Sequence, residues 1–403
     1  MRVKKLSLRD FRNIKSCSLF PSERVNFLVG KNGQGKTSFL EALSFIASLR
    51  SFRGARTEDV VRSGEKKAGL SCIAQQGGLD RVEATLGVDF TVLESKTVKT
   101  AMINGKTYTS TSRYLSQRFG TVRIGFHAIS FNPSDHEIIH GEPAVRRNYL
   151  NRAISAEDME YFSELRKYHR ILEQRNALLK ESPFSPRGLM EEFTVPLVKS
   201  GAAITRKRIE WIGRLQKIIQ KTASEITPDQ KKTEAKYLRA DRHKKTIISS
   251  TNGGFSTDHF AGQEQVPSLE QIEQALFEKL LVLKEAELCA GSTLVGPHRD
   301  DFMLFFGGAP LKGRGSQGET RSALLALKLS EIRLFKESTG HEPVLLLDDF
   351  SSELDGERRA LLMSHIEKSG LQVFVTGTEE FPCEGKIFDV DQGDVKEREK
   401  KSV

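Results

Sequence analysis

A glycine-rich segment near the N-terminus contains residue types that bind phosphate groups. It follows the mostly apolar stretch Val25 to Val29 and precedes a helix predicted over Ser38 to Leu49. A strand, a glycine-rich loop and a helix in this order direct backbone N–H groups, a lysine and the positive end of the helix dipole at one anion. The pattern predicts a nucleoside triphosphate site, with Lys36 as a catalytic residue at the β- and γ-phosphates and Thr37 as a Mg²⁺ ligand. The predicted contacts are Gly30, Lys31, Asn32, Gly33, Gln34, Gly35, Lys36, Thr37 and Ser38.

Two adjacent aspartates follow a second apolar strand far downstream. The stretch Val344 to Leu347 is wholly apolar and ends at Asp348 and Asp349. In phosphate-loop ATPases a carboxylate at such a strand end holds Mg²⁺, and a second carboxylate can orient the attacking water. The pattern predicts Asp348 as the metal-side catalytic residue and Asp349 as the catalytic base. The alternative is an ordinary strand-to-turn junction in which the aspartates cap the next segment.

A third element, Gly313 to Glu319, precedes an apolar-rich helix predicted over Thr320 to Lys336. Ser316 and Glu319 have the spacing of a capping box, which would start the helix with the Ser316 hydroxyl exposed. Such a helix N-terminus is a second anion site, and its natural use is to meet the γ-phosphate held by another copy of the chain. The alternative is a capped helix without a ligand. The predicted contacts across the dimer are Ser316, Gln317 and Gly318.

The composition is that of an ordinary globular protein. Of its 403 residues, 38% are hydrophobic and 29% are charged, and this length suits about two or three domains. No stretch approaches the roughly 18 apolar residues of a membrane helix, and the N-terminus lacks the apolar core of a signal peptide. The four cysteines have no C-x-x-C spacing, so neither a zinc site nor a disulfide framework is indicated. We expect a cytoplasmic protein without a membrane partner.

The positive charge is concentrated in one segment. Between Arg206 and Lys245 there are thirteen Lys and Arg against five Asp and Glu, whereas the whole chain has a net charge of +9. A concentrated basic segment is typical of a polyanion binder, since phosphate neutralisation releases counterions. A solvated helical face explains the pattern equally well. The lone Trp211 within the segment is predicted to be a packing residue, because base-stacking sites normally offer several aromatics.

The pattern of apolar residues divides the chain. Residues about 67 to 130 alternate as strands do, the region from Pro143 to Leu288 repeats apolar residues at helical spacing, and strands return after Gly291. We therefore predict a discontinuous ATPase head of residues 1–140 and 291–403. An inserted, mostly helical lobe of residues 141–290 would carry the basic segment 206–245. Within the returning part, the turn at Gly296 and Pro297 favours a structural role for His298 and Arg299 as anchors of the returning strand. The alternative is that the pair contacts DNA or nucleotide.

The three motifs together resemble the heads of ABC-type ATPases, particularly the SMC-like branch, and further segments resemble the bacterial RecF family. These further segments are Leu8–Asn13, Arg50–Arg53, Phe131–Pro133, Arg146–Arg147, Val295–Arg299 and Asp348–Asp355. The resemblance covers essentially the whole chain. It implies an α/β fold: an ABC/SMC-type P-loop ATPase head with a mixed sheet and Walker A and B lobes, and an inserted α-helical second lobe.

Membership of the RecF family would also imply a function. The implied activities are ATP-dependent dimerisation, DNA binding at single-strand gaps, duplexes or junctions, and weak DNA-stimulated ATP hydrolysis with Mg²⁺. The implied partners are RecO and RecR, which help to load RecA. The alternative is another SMC-like ATPase of chromosome maintenance or DNA defence. By the same resemblance Ser352 and Asp355 form a D-loop at the dimer seam, and Arg12 and Asn13 lie near the nucleoside.

Two positions depart from the pattern of most ABC ATPases. Asp349 stands where most of them have glutamate, as it does in RecF proteins, and its shorter reach fits slow turnover. The switch position after the strand Gln372 to Val375 lacks histidine and is occupied by Thr376 or Thr378. Neither threonine can act as a base.

Overall fold

The computed structural model describes residues 1–76, 82–94, 96–117, 126–181, 187–226, 232–240, 266–349, 356–379 and 384–398. Contacts divide the chain into two compact units. The first consists of Met1–Asp135 and Phe335–Val403, and the second of His136–Leu334. By contacts, residues 291–334 therefore belong to the second unit, whereas the sequence-based division assigns them to the ATPase head.

The elements are numbered in chain order. The strands are β1 Arg2–Phe11, β2 Ile14–Leu19, β3 Val25–Val29, β4 Lys67–Gln76, β5 Val82–Val92, β6 Thr97–Ile103, β7 Lys106–Tyr108, β8 Ala128–Phe131, β9 Thr233–Leu238, β10 Asp301–Phe306, β11 Ala309–Pro310, β12 Val344–Leu347, β13 Val373–Gly377, β14 Lys386–Asp391 and β15 Asp394–Glu397. The helices are α1 Lys36–Ser48, α2 Thr111–Ser116, α3 Glu137–His140, α4 Pro143–Glu157, α5 Met159–Glu181, α6 Arg187–Ile226, α7 Leu269–Val282, α8 Lys284–Ala290, α9 Gln317–Thr339 and α10 Gly356–Lys368.

A mixed sheet in the first unit positions the predicted phosphate loop. Its strand order is β15-β14-β3-β13-β12-β8, and every pair except the β14–β15 hairpin is parallel. Strands β3, β12 and β13 are buried along their whole length, which explains why they are nearly continuous apolar runs. Because parallel strands end at one edge of a sheet, the loop after β3 and the aspartates after β12 lie at the same edge, separated by the end of β13.

Helix α1 packs in a core that draws on both sheets of the first unit. The second sheet is antiparallel, in the order β2-β1-β4-β5-β6-β7. The core joins Phe90 of this sheet, Phe39 and Phe45 of α1, and Phe374 of the mixed sheet. The Phe45 and Phe90 rings meet edge to face with centroids 5.0 Å apart, a favourable aromatic arrangement. This packing fixes α1, and therefore the end of the phosphate loop that continues into it.

The second unit is mostly helical, as its sequence predicts, and buried ion pairs join its elements. Arg146 of α4 donates from Nε and Nη2 to the two carboxylate oxygens of Asp301 in β10, at 2.7 Å each. Arg175 of α5 donates from Nη2 to Glu287 of α8 at 2.7 Å. The unit also contains a small antiparallel sheet in the order β11-β10-β9. The contact-based boundary with the first unit falls within α9.

Candidate nucleotide site

The glycines of the predicted phosphate loop are required by its backbone. Gly33 and Gly35 have φ angles of 81° and 104°, a left-handed region that side chains other than glycine rarely adopt. At Gly30 a Cβ atom would lie 2.2 Å from the carbonyl oxygen of Val390, so no side chain fits there. Helix α1 begins at Lys36, two positions before the predicted start at Ser38. The loop therefore ends on the N-terminal N–H groups of a helix, which favour an anion.

The Lys36 side chain bonds to the backbone of the phosphate loop. Its Nζ donates to the carbonyl oxygens of Gly30 and Lys31 at 2.6 and 2.8 Å. Burial lowers the pKa of Lys36, while the nearby carboxylates of Asp349 and Asp348 raise it. The ammonium group is thus held between the loop carbonyls and two carboxylates, in the position from which a lysine can neutralise bound phosphates.

The Thr37 hydroxyl connects the loop to the carboxylate strand. Its Oγ1 donates to Oδ1 of Asp348 at 2.8 Å, and the same carboxylate oxygen accepts from Oγ1 of Thr376 at 2.8 Å. Burial raises the pKa of Asp348, and the two hydroxyl donors and the Arg53 guanidinium counteract this effect. Three elements that are distant in sequence, namely the start of α1 and the ends of β12 and β13, meet at this oxygen.

The residues at this point fit a Mg²⁺ ion. Thr37 and Asp348 offer two hard oxygen ligands 2.8 Å apart. Within the described residues, no group of three or more His, Cys, Asp or Glu could hold a metal. A site with one carboxylate and one hydroxyl suits Mg²⁺, which keeps several waters and takes its other ligands from substrate phosphates.

Asp349, the predicted base, has an unusual backbone. Its φ angle is 49°, a left-handed conformation that costs energy for a residue with a side chain. The N–H group of Asp349 donates to Oγ1 of Thr376 at 2.8 Å. The threonine at the predicted switch position therefore contacts both aspartates.

Two turns brace the phosphate loop at Gln34. Asn13, in the turn between β1 and β2, donates from Nδ2 to the carbonyl oxygen of Gln34 at 3.1 Å. In the β14–β15 turn, the N–H of Gly393 donates to the same carbonyl at 2.9 Å, and the N–H of Gln392 donates to Oε1 of Gln34 at 2.6 Å. The sequence analysis did not identify this hairpin as part of the site. The only local signal for it was the Gln-Gly turn.

Arg12 contacts helix α1. Its Nε and Nη2 donate to the two carboxylate oxygens of Glu41 at 2.9 and 2.7 Å, and its Nη1 donates to the carbonyl oxygen of Asp59 at 2.7 Å. Glu41 is fully buried, and a buried carboxylate requires such a partner. A contact of Arg12 or Asn13 with a nucleoside stays a prediction.

The predicted capping box in the second unit is confirmed. The N–H of Ser316 donates to Oε2 of Glu319 at 2.9 Å, and the N–H of Glu319 donates to Oγ of Ser316 at 3.2 Å. Helix α9 begins at Gln317, so Gln317 and Gly318 lie in its first turn. Ser316 and Gln317 are exposed, as predicted for Ser316. The predicted D-loop residues Ser352 and Asp355 lie outside the described residues.

Part of the charge in the basic segment is paired within the second unit. The buried Arg208 donates to the hydroxyl of Tyr161 at 3.0 Å and to the carbonyl oxygen of Pro297 at 2.6 Å. Trp211 is 1% exposed, which confirms it as a packing residue. Five other cations are paired with acids: Arg206 with Glu210, Lys207 with Asp158 and Glu160, Arg214 with Glu157, and Lys232 and Lys236 with Glu234. The segment is therefore weaker support for a polyanion surface than its sequence implies.

His298 has the structural role that the sequence indicates. Its Nδ1 lies 2.6 Å from the hydroxyl of Tyr168, and its Nε2 lies 3.1 Å from the carbonyl oxygen of Thr293. Burial lowers the pKa of His298 to about 4. A neutral imidazole that accepts from the tyrosine and donates to the carbonyl satisfies both contacts.

Among the described residues, no helix is long and apolar enough to cross a membrane.

Known proteins resemble this chain over nearly its whole length. Residues 2–385 match the family described as RecF/RecN/SMC N terminal domain. The DNA replication and repair protein RecF of Geotalea uraniireducens is 31% identical over 382 residues, covering 94% of this chain and 93% of the relative. The RecF protein of Geobacter metallireducens is 34% identical over 383 residues, with coverage of 94% and 93%.

Solved structures agree with this assignment. A structure described as the recombination mediator protein RecF-ATP in the RecFOR pathway has a TM-score of 0.83 at 31% identity, covering 99% of this chain and 98% of that chain. An Smc head domain from Pyrococcus furiosus has a TM-score of 0.53 at 14% identity, covering 98% and 96%, and shares the fold alone. The predicted ABC/SMC-type ATPase head with a helical insertion is confirmed. The chain belongs to the RecF family of DNA replication and repair proteins.

Proposed function

We propose that this protein is an ATP-dependent DNA-binding switch of recombinational repair. The observation that carries the nucleotide part is the 2.8 Å hydrogen bond from Thr37 to Asp348. It brings the phosphate loop and the carboxylate strand to the distance at which one Mg²⁺ can contact both. A structure described as RecF-ATP, from a relative that is 31% identical, adds support for ATP as the nucleotide.

The site supports slow ATP hydrolysis. The loop N–H groups and Lys36 bind the phosphates and compensate their charge, while Thr37 and Asp348 hold Mg²⁺, which would supply further positive charge at the phosphate oxygens. Asp349 orients the attacking water and accepts its proton. Burial lowers the pKa of Lys36, and the carboxylates of Asp349 and Asp348 oppose that shift. Lys36 and Asp348 are themselves buried, and shielding from bulk water strengthens their electrostatic contacts.

ATP binding and hydrolysis would control the assembly and release of a dimer. In this proposal, ATP bound by one copy is contacted by Ser316, Gln317 and Gly318 of a second copy, with Ser352 and Asp355 at the same seam. The capping geometry at Ser316 supports this role, since it presents a hydroxyl and a helix N-terminus on an exposed surface. The ATP-bound dimer would bind DNA at single-strand gaps, duplexes or junctions, and hydrolysis would release it.

The family supports the cellular role. Relatives named DNA replication and repair protein RecF and a structure described within the RecFOR pathway favour RecO and RecR as partners. By this proposal the protein helps them to load RecA in the cytoplasm, at the nucleoid. The net charge of +9 suits a nucleic-acid partner.

Sedimentation velocity tests this function. The protein is run with and without ATP and Mg²⁺, with and without a gapped duplex, at low and high salt. We expect a monomer that becomes a DNA-bound dimer only with ATP, and less DNA binding at high salt because phosphate contacts release counterions. A dimer or DNA complex that ignores ATP would overturn the proposal.

A further inference from the structure

Thr376 occupies a central place in the nucleotide site. It lies near the end of β13, the strand between β3 and β12. Its side chain is almost completely buried, with 1% of the residue exposed. Its hydroxyl donates to Oδ1 of Asp348 and accepts from the N–H of Asp349, both at 2.8 Å. The hydroxyl therefore uses its donor and one acceptor position on two consecutive functional residues.

Several threonines within helices bond differently. Thr222 donates to the carbonyl oxygen four residues earlier, Ile218, at 3.1 Å, and Thr339 does the same with Phe335 at 2.7 Å. Such bonds satisfy a hydroxyl within its own helix. The Thr376 hydroxyl instead joins β13 to the end of β12, far away in sequence. Both of its partners are predicted functional aspartates, whereas the buried Thr293 hydroxyl bonds to Asn176 and Arg175.

The strand end also contacts the phosphate loop. The residue after Thr376 is Gly377, whose carbonyl oxygen accepts from the N–H of Gly30 at 3.3 Å. The last two residues of β13 therefore connect the start of the phosphate loop with both aspartates. A displacement of this strand end would move the loop and the carboxylates together.

We propose that Thr376 is a positioning residue for metal binding and for the catalytic base. Through its donor, it fixes the Asp348 carboxylate toward Thr37, so that the two oxygen ligands stay together. Through its acceptor, it holds the N–H of Asp349 and thereby the left-handed backbone that sets the direction of the Asp349 side chain. The inference rests on the proposed ATP hydrolysis and assigns the switch position a geometric role in place of a base.

Two matched pairs of variants isolate the hydroxyl. Thr376→Val replaces the hydroxyl by a methyl group of similar size in the wild-type background. Thr376→Ala and Thr376→Ser both lack the threonine methyl and differ from each other only in the hydroxyl. An effect of the hydroxyl must appear in both comparisons. If the valine variant fails to fold, the alanine and serine variants still decide the question.

Three measurements follow on each purified variant. The first is the affinity for ATP in EDTA, which reports the loop alone. The second is the Mg²⁺ concentration that half-saturates the metal-dependent gain in ATP affinity. The third is the kcat and KM for ATP hydrolysis with DNA, accompanied by hydrogen exchange of the Asp349 amide.

We expect a split between these readouts. In the valine and alanine variants the EDTA affinity stays within about twofold of wild type, whereas the Mg²⁺ requirement rises and kcat falls by about tenfold or more, as loss of buried hydrogen bonds predicts. The Asp349 amide exchanges faster, and serine restores all values to near wild type. Valine or alanine variants with wild-type Mg²⁺ dependence and amide exchange would overturn the inference, as would a serine variant impaired as much as alanine.

A failure of the proposed ATP hydrolysis can be distinguished from a failure of the proposed positioning role. If the wild-type protein binds ATP with Mg²⁺ but does not hydrolyse it, the hydrolysis proposal is wrong. The Mg²⁺ requirement and the amide exchange still test the positioning role in that case, because neither depends on turnover.

Discussion

Replacement of Arg12 by alanine should destabilise the first unit through helix α1. Arg12 makes a two-pronged contact with Glu41, and the side chains are 19% and 0% exposed. Removal of one partner of a buried ion pair leaves a buried charge uncompensated and costs about 3–5 kcal/mol. Because Arg12 is partly exposed and Ser51 also donates to Glu41, we expect the lower end, about 3 kcal/mol of unfolding free energy. Arg12→Ala combined with Glu41→Gln should lose less, since no buried charge remains.

Urea unfolding measures this effect. Circular dichroism reports the whole chain, and the fluorescence of Trp211, the single tryptophan, reports the second unit. The control is Arg56→Ala, which removes an arginine whose partner Glu58 is also exposed and should change stability by about 0.5 kcal/mol or less. The reasoning is refuted if Arg12→Ala unfolds like the control. A tenfold loss of ATP affinity without a loss of stability would instead favour the predicted nucleoside contact.

Three further predictions concern the site and the second unit. Lys36→Met should fold but lose about 2 kcal/mol of ATP binding free energy, a loss typical of a hydrogen bond to a charged group. Sedimentation should then detect no ATP-dependent dimer, and persistent dimers would contradict the loop assignment. Ser316→Arg should bind ATP normally and stay monomeric, at a cost of about 1 kcal/mol for the lost cap; dimers would refute the trans contact. His298 has a pKa of about 6.5 in the unfolded state and about 4 in the native state. Between these values the unfolded state binds more protons, so the free energy of unfolding is highest above pH 6.5 and falls toward pH 4. Between pH 6.5 and pH 4, the free energy of unfolding measured by urea titration should therefore fall by about 2 kcal/mol less in His298→Gln than in wild type, after allowance for the partial exposure of the side chain. Equal decreases in the two proteins would show that His298 does not titrate in this way.

The parts of the site that follow local rules could be predicted from the sequence. The glycine spacing before Lys36, the apolar runs that end at Gly30 and Asp348, and the Ser316 cap each depend on residues within a few positions of one another. Short-range sterics and hydrogen bonding decide such features. Strand β9 was missed because its alternation covers only six residues and lies within the region from Pro143 to Leu288, which was predicted as mostly helical. This strand is stabilised by its pairing with β10, a contact that its own sequence does not reveal.

The contacts that set the geometry of the site depend on distant partners. The Asp348 carboxylate meets a hydroxyl 311 positions earlier, and Gln34 accepts from an N–H 358 positions later. No periodicity encodes such pairs, because they arise only when β3, β13 and β12 align in parallel register and the β14–β15 hairpin adds to the same sheet. The basic segment is the opposite case. Its charges are visible in the sequence, but their partners, such as Glu157 for Arg214, come from other helices.

The position of β13 explains why a threonine can replace a histidine at the switch position. In a sheet ordered β3-β13-β12, the end of the middle strand necessarily lies between the phosphate loop and the carboxylates. A short side chain there reaches the Asp348 carboxylate and the Asp349 N–H at 2.8 Å each. What the position requires is one donor and one acceptor, which a hydroxyl supplies in a single group. In the proposed mechanism Asp349 is the base and Thr376 sets the geometry, and these two roles are sufficient for a slow ATP switch.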